Sequence, residues 1–187
     1  MAKIEIPRIC GVEERAEYDV PVALPGSRER RLDVVAKAAF NNLRAYSNCC
    51  RAVLFAVQTH LRMPDDGALR ATSTLAGGIG GTGETCGALL GALMAIGLAL
   101  GPEAFDDLET YEEAGRAARE MVGRFSERSG GTRCHTVQET LVGWHCDRND
   151  PEEATRWLKE GGSRACAWAC GEAARDAADL ILTVRSE

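Results

Sequence analysis

Eight cysteines stand in a chain of 187 residues, at Cys10, Cys49, Cys50, Cys86, Cys134, Cys146, Cys166 and Cys170. The chain begins MAKIEIPRICGVEERAEY, which mixes charges and prolines where an export signal would place a basic segment followed by an apolar run. The expectation is a cytoplasmic protein whose thiols stay reduced, so metal binding or redox chemistry accounts for these cysteines better than structural disulfides do. Soft sulfur selects zinc, copper(I) or iron-sulfur clusters, and a cuboidal cluster takes four thiolates. No CxxC pair occurs, which argues against a zinc ribbon and against a thioredoxin-type dithiol, although cysteines distant in sequence can still meet in space.

Other residue types offer less. His135 and His145 each adjoin a cysteine and invite a mixed nitrogen and sulfur site, but loop or surface histidines, like packing roles for His60, Trp144 and Trp168, are the simpler reading. GIGGTG, residues 78–83, formally fits GxGxxG, yet no buried strand precedes it and no βα alternation surrounds it, so a dinucleotide site is not expected. The expected role of this loop is close backbone approach, with amides near Gly83 and Gly87 facing sulfide or an anion beside Cys86. Glu84 reads as a first-turn residue serving the helix dipole. No Ser-His-Asp set and no paired catalytic carboxylates stand out, so a hydrolase is not supported.

The elements that must position the cysteines are helical. Leu32, Val35, Ala36, Ala39, Phe40 and Leu43 recur at three and four residues, and Asn48 can cap a second helix carrying Val53, Leu54, Val57 and Leu61 until Pro64. A short helix follows Gly67, and the glycines of residues 77–83 then require a tight loop. CGALLGALMAIGLALG reads as a central helix whose Gly87, Gly91 and Ala95 form a small face for another helix, within the chain or across a homodimer axis. Pro102 is expected in the first turn of the next helix, with Phe105, Leu108, Tyr111, Ala118, Val122 and Phe125 as its apolar stripe. Two short helices, after Cys134 and from Asp150-Pro151-Glu152, lead to a last helix from about Ser163 to Val184. With no strand alternation, the fold class is all-α, a single-domain helical bundle over residues 27–187 preceded by an N-terminal arm, 1–26.

On these elements Cys49, Cys86 and Cys134 fall at helix N-termini, where the dipole and free amides should lower a thiol's pKa. Cys166 and Cys170 share one face of the last helix with Ala173, Ala174, Ala177, Ala178 and Ile181 and point at the core. For any one of these a small apolar role would suffice; together they make a site. Cys10 is read as incidental, and Cys49 and Cys50, about 100° apart on a helix, should not serve one metal equally.

The segments NCCRAVL (48–54) and GGIGGTGETCGALLGALM (77–94), with single cysteines downstream, resemble the C-GCAxxG-C-C family of redox-active proteins over about residues 30–184. That resemblance puts the family's cysteines on Cys49, Cys86, Cys134 and Cys170, the last chosen because it precedes the Ala177-Ala178 pair by two turns, with Cys166 in reserve. Cys10, Cys50, Cys146 and Cys166 are additional to the pattern. The resemblance implies a redox protein in which Cys49, Cys86, Cys134 and Cys170 ligate an iron-sulfur cluster for electron transfer, served by a redox partner protein or a small oxidant or reductant. The alternatives are a metal-free thiol oxidoreductase with Cys86 as nucleophile, and a structural zinc module.

Composition sets the remaining bounds. A hydrophobic share of 45% and a charged share of 27% suit one ordinary globular core. A net charge of −6 with no basic face interleaved with aromatics speaks against nucleic acid. The apolar stretch 85–101 is too short and too rich in glycine for a membrane span.

Overall fold

In the computed structural model, which describes residues 27–185, eight α-helices and one short 3-10 turn account for the regular structure of the described residues. They are α1 (Arg28–Tyr46), α2 (Cys49–His60), α3 (Asp66–Ala71), α4 (Gly87–Leu100), α5 (Leu108–Ser129), α6 (Cys134–Val142), α7 (Pro151–Lys159) and α8 (Gly162–Val184). The proposed arm, 1–26, lies outside the described residues, and Cys10 with it. Short polar side chains start five of the helices. Ser27, Asn48, Asp65, Asp107 and Asp150 each accept from an amide of the first turn and satisfy donors that have no partner within the helix.

α8 runs through the middle and packs on α1, α2, α4, α5, α6 and α7. Its alanines permit this: Ala165, Ala167, Ala169, Ala173, Ala174, Ala177 and Ala178 are all buried. α4 shares the interior, wedged against α2, α5 and α8. Its Gly87 and Gly91 face α2 within the chain, where a Cβ on Gly91 would stand 2.4 Å from the Cys50 carbonyl oxygen. Gly91→Ala must therefore move backbone and should cost about 1–3 kcal/mol. Gly97→Ala, on the exposed side of the same helix with nothing within 4 Å, should stabilise by about 0.5–1 kcal/mol. Urea unfolding of the two variants checks the contrast.

α5 differs from expectation. It begins at Leu108 under the Asp107 cap, six residues after Pro102, and Phe105, Leu108 and Tyr111 are exposed. The buried stripe is Ala117, Met121, Phe125 and Ser129, one turn or more further along, because the segment before Asp107 turns at the surface. Ion pairs fasten the outer helices to α8. Arg175 pairs with Glu29 and Asp33 of α1, Asp179 with Arg28 and Arg124, and Arg128 of α5 with Glu172 and Asp176. Among the described residues, no helix is long and apolar enough to cross a membrane.

Candidate functional site: an enclosed cage of five cysteines

Cys49, Cys86, Cys134, Cys166 and Cys170 line one small internal cavity of about 10 Å³, together with Gly77, Gln138 and Arg148. The structure thus brings together four cysteines that the resemblance singles out and adds Cys166. Cys50 and Cys146 do not line it. Cys50 is fully buried with its thiol toward the sulfur of Met94, 3.7 Å away, and Cys146 packs under α6 with its amide donating to Gln138 Oε1. All seven described cysteines are free thiols.

Four elements deliver the five sulfurs. Cys49 opens α2 directly behind the Asn48 cap, and Cys166 and Cys170 sit one turn apart on α8. Cys86 and Cys134 arrive as a pair, because the chain before each of them forms an antiparallel backbone clasp. Cys86 N–H donates to Thr132 O at 2.8 Å, Cys134 N–H to Glu84 O at 2.6 Å and His135 N–H to Gly83 O at 3.3 Å. Glu84 and Arg133 close the clasp outside with a 2.7 Å ion pair.

The glycine loop folds over this clasp. Its amides are largely spent on itself: Gly80 donates to Thr74 O, Gly81 to Ala76 O, Gly83 to Gly77 O and Glu84 to Gly78 O. Gly83 is needed because a Cβ there would fall inside the His135 ring, 1.9 Å from Nε2, and Gly87 because its Cβ would meet Cys49 Cβ at 3.0 Å. The one loop amide that reaches a sulfur is Gly77 N–H, and the sulfur is Cys49. Cys86 receives its backbone amides from Ala88 and Leu89 in the first turn of α4, not from the loop glycines.

Charge at the cage is uneven. The Cys170 thiol, hydrogen-bonding to the Cys49 sulfur, outweighs the opposing cost of burial and lowers Cys49 from an ordinary 9.0 to about 7. The Arg148 charge and the Gly77 and Cys49 amides help. Cys170 Sγ also lies 3.8 Å from the Cys49 carbonyl oxygen, a long contact. Once Cys49 ionises, its sulfur is the stronger acceptor and takes the thiol proton's direction. Cys86 and Cys134 do not share this fate despite their helix starts. Burial pushes both up, and the neighbouring Cys49 charge adds to it, so a second anion in the same cage is disfavoured. Cys170 is raised first by its hydrogen bond to Cys49, in which it stays the proton donor, and then by burial, while Cys166 is raised by burial and the Cys49 charge. Burial pushes Cys50 up to about 12.

Two polar residues in the wall carry roles. Gln138 joins the cage to its surroundings, with Nε2 donating to Cys134 Sγ at 3.2 Å while Oε1 holds the Cys146 amide. Arg148, on the loop between α6 and α7, is exposed yet lines the cavity, and it is the one cation in that wall. His135 and His145 stand apart from it, their rings stacked at 4.2 Å, with His145 Nδ1 2.7 Å from Glu139.

The donor set is all sulfur, which is the right chemistry for zinc or an iron-sulfur cluster. The placement is not. Among the described residues no group of three or more His, Cys, Asp or Glu side chains is set to hold a metal ion, and about 10 Å³ is the room of one water molecule.

No curated protein and no solved structure matches the chain. Residues 47–184, which contain all five cage cysteines, match the model of the family described as "Putative redox-active protein (C_GCAxxG_C_C)", and the chain belongs to that family.

Proposed function

We propose that the protein is a thiol oxidoreductase or thiol redox carrier in which Cys49 is the attacking thiolate and Cys170 the resolving thiol. The observation that supports this best is the meeting of Cys49 and Cys170 in one small cavity, Cys170 Sγ 3.8 Å from the Cys49 carbonyl oxygen and its thiol holding Cys49 down to about 7. The oxidant must be small, and hydrogen peroxide, two oxygens against a cavity with the room of about one water, reaches Cys49 with only a slight widening of the wall. The Cys49 sulfur attacks one peroxide oxygen and the O–O bond breaks. Cys49 becomes a sulfenic acid, and hydroxide leaves to take up a proton as water. The Cys170 sulfur then attacks the Cys49 sulfur, the S–O bond breaks, and the departing hydroxide carries away the Cys170 proton as a second water. Two thiols and one peroxide become one disulfide and two waters.

Peroxide treatment followed by peptide mapping under non-reducing conditions tests this reading. The expected product is a Cys49–Cys170 disulfide that is absent from C49S and C170S. Oxidation confined to Cys50 or Cys146, with the cage intact, would overturn it.

Ligation of an iron-sulfur cluster by Cys49, Cys86, Cys134 and Cys170, for electron transfer, is a second reading, favoured by the convergence of four helix-borne thiols without a competing carboxylate or imidazole. It requires the cage to widen. Anaerobic purification with iron and sulfide analysis decides it: brown protein with both elements in fixed proportion supports it, and colourless metal-free protein with unchanged helicity rejects it.

A further inference from the structure

The disulfide proposed above would form in the interior, between two buried cysteines. Cys170 is fully buried, and Cys49, Cys86 and Cys134 retain 5–6% exposure. Any redox carrier must also be returned to its starting state, and no bulky reductant can touch Cys49 or Cys170 in this packing. Cys166 is different, being the one cage cysteine that is only half-buried. It lines the same cavity as Arg148, which is itself exposed, so the cage meets solvent at its rim.

Resting on the Cys49–Cys170 reading, we propose that Cys166 is the outlet of the cage, a third redox cysteine that passes the buried disulfide to the surface for reduction by a partner protein bearing a dithiol. Helix geometry fixes which exchange takes place. Cys166 and Cys170 are separated by one turn of α8, which sets their Cβ atoms about 5–6 Å apart, beyond the roughly 3.5–4.5 Å that a disulfide spans. Cys166 therefore pairs with Cys49 across the cavity. Its sulfur attacks Cys49 Sγ, the Cys49–Cys170 bond breaks, and the proton that left Cys166 ends on Cys170. One disulfide is exchanged for another, and no electrons are gained or lost. The partner's first thiolate then attacks the sulfur of Cys166, the cage cysteine that keeps contact with solvent as a residue, and expels Cys49 as its stable thiolate. The partner's second thiol cleaves the mixed disulfide, leaving the partner oxidised and all the cage thiols reduced. The stability of the Cys49 thiolate makes it the better leaving group in that last attack.

The experiment uses peroxide-oxidised full-length protein and a thioredoxin whose resolving cysteine has been replaced by serine, so that the mixed disulfide is trapped. The expected adduct maps to Cys166, and C166S and C166A form none. With intact thioredoxin both variants should regain free thiols at least tenfold more slowly than wild type, while circular dichroism shows unchanged helicity. In wild type a minor Cys49–Cys166 disulfide should accompany Cys49–Cys170, with no Cys166–Cys170 pair. An adduct on Cys49 or Cys170, or reduction of C166S at the wild-type rate, overturns the outlet and leaves the Cys49–Cys170 centre standing. Absence of the Cys49–Cys170 disulfide from oxidised wild type removes both.

Discussion

Replacing Cys170 with alanine is expected to lower the thiolate fraction of Cys49 at pH 7 by roughly tenfold or more, and replacing it with serine is expected to leave most of that thiolate in place. A thiol held at about 7 is half ionised at pH 7, and each unit by which its midpoint rises above that lowers the fraction by about tenfold. Because the thiol is the acid form, losing a donor to its sulfur moves the midpoint up, and reactivity at neutral pH falls. Alanine removes the donor and keeps the burial that opposes ionisation; serine supplies a hydroxyl that can donate as the thiol did. The two variants thus separate the electrostatic role of Cys170 from its redox role, since neither can form the disulfide. The pH dependence of iodoacetamide labelling at Cys49, read by mass spectrometry, gives the midpoint directly and is insensitive to the slowness that burial imposes at every pH. A midpoint unchanged in C170A would show that the α2 terminus and Arg148 hold the thiolate without help, and Cys170 would lose its place as the partner of Cys49.

The helices were legible wherever a cap met a period. Asn48 before Cys49 and Asp150 before Pro151 announce their starts, and the residue after each is where α2 and α7 begin. α5 misled because Phe105, Leu108 and Tyr111 sit at helical spacing with later apolar residues while lying at the surface; periodicity reports a face, not whether that face is covered. The antiparallel clasp between Gly83–Cys86 and Thr132–His135 left no trace in the sequence, since pairing this short offers too few residues for an alternating pattern. It is nevertheless what sets Cys86 beside Cys134. Cys166 was visible as a core-facing residue four before Cys170, but a sequence cannot say which of two such residues keeps contact with solvent. Arg148 carried no signal at all, being a loop cation among Asp147, Asn149 and Asp150. Of the three thiols expected to be lowered by helix N-termini, only Cys49 lies low, and chiefly through Cys170; at Cys86 the α4 amides of Ala88 and Leu89 do act, but burial outweighs them, and burial also raises Cys134, with the Cys49 charge adding to both.

The glycine loop should prove the most sensitive part of the cage, and Gly78 its most sensitive position. Its φ is +73°, and a Cβ there would stand 2.6 Å from Glu84 N and 2.7 Å from Cys134 Cβ, so both backbone conformation and space exclude a side chain. Glu84 N–H is the group that donates to the Gly78 carbonyl, and its own carbonyl receives Cys134 N–H, so a shift at residue 78 is transmitted to the clasp. Gly78→Ala is expected to cost about 1 kcal/mol for the left-handed backbone and a further 1–3 kcal/mol for overpacking, roughly 2–4 kcal/mol in total. Gly81→Ala isolates the first part: its φ is +85°, but nothing lies within 4 Å of its Cβ, so about 1 kcal/mol should be lost. Urea unfolding at unchanged m-value measures both. If the two variants lose the same stability, the close approach of residue 78 to Glu84 and Cys134 is relieved without cost and the loop does not hold the clasp. If Gly78→Ala loses more and also slows peroxide-driven formation of the Cys49–Cys170 disulfide, the glycines hold the geometry in which one sulfur can ionise and its neighbour can reach it.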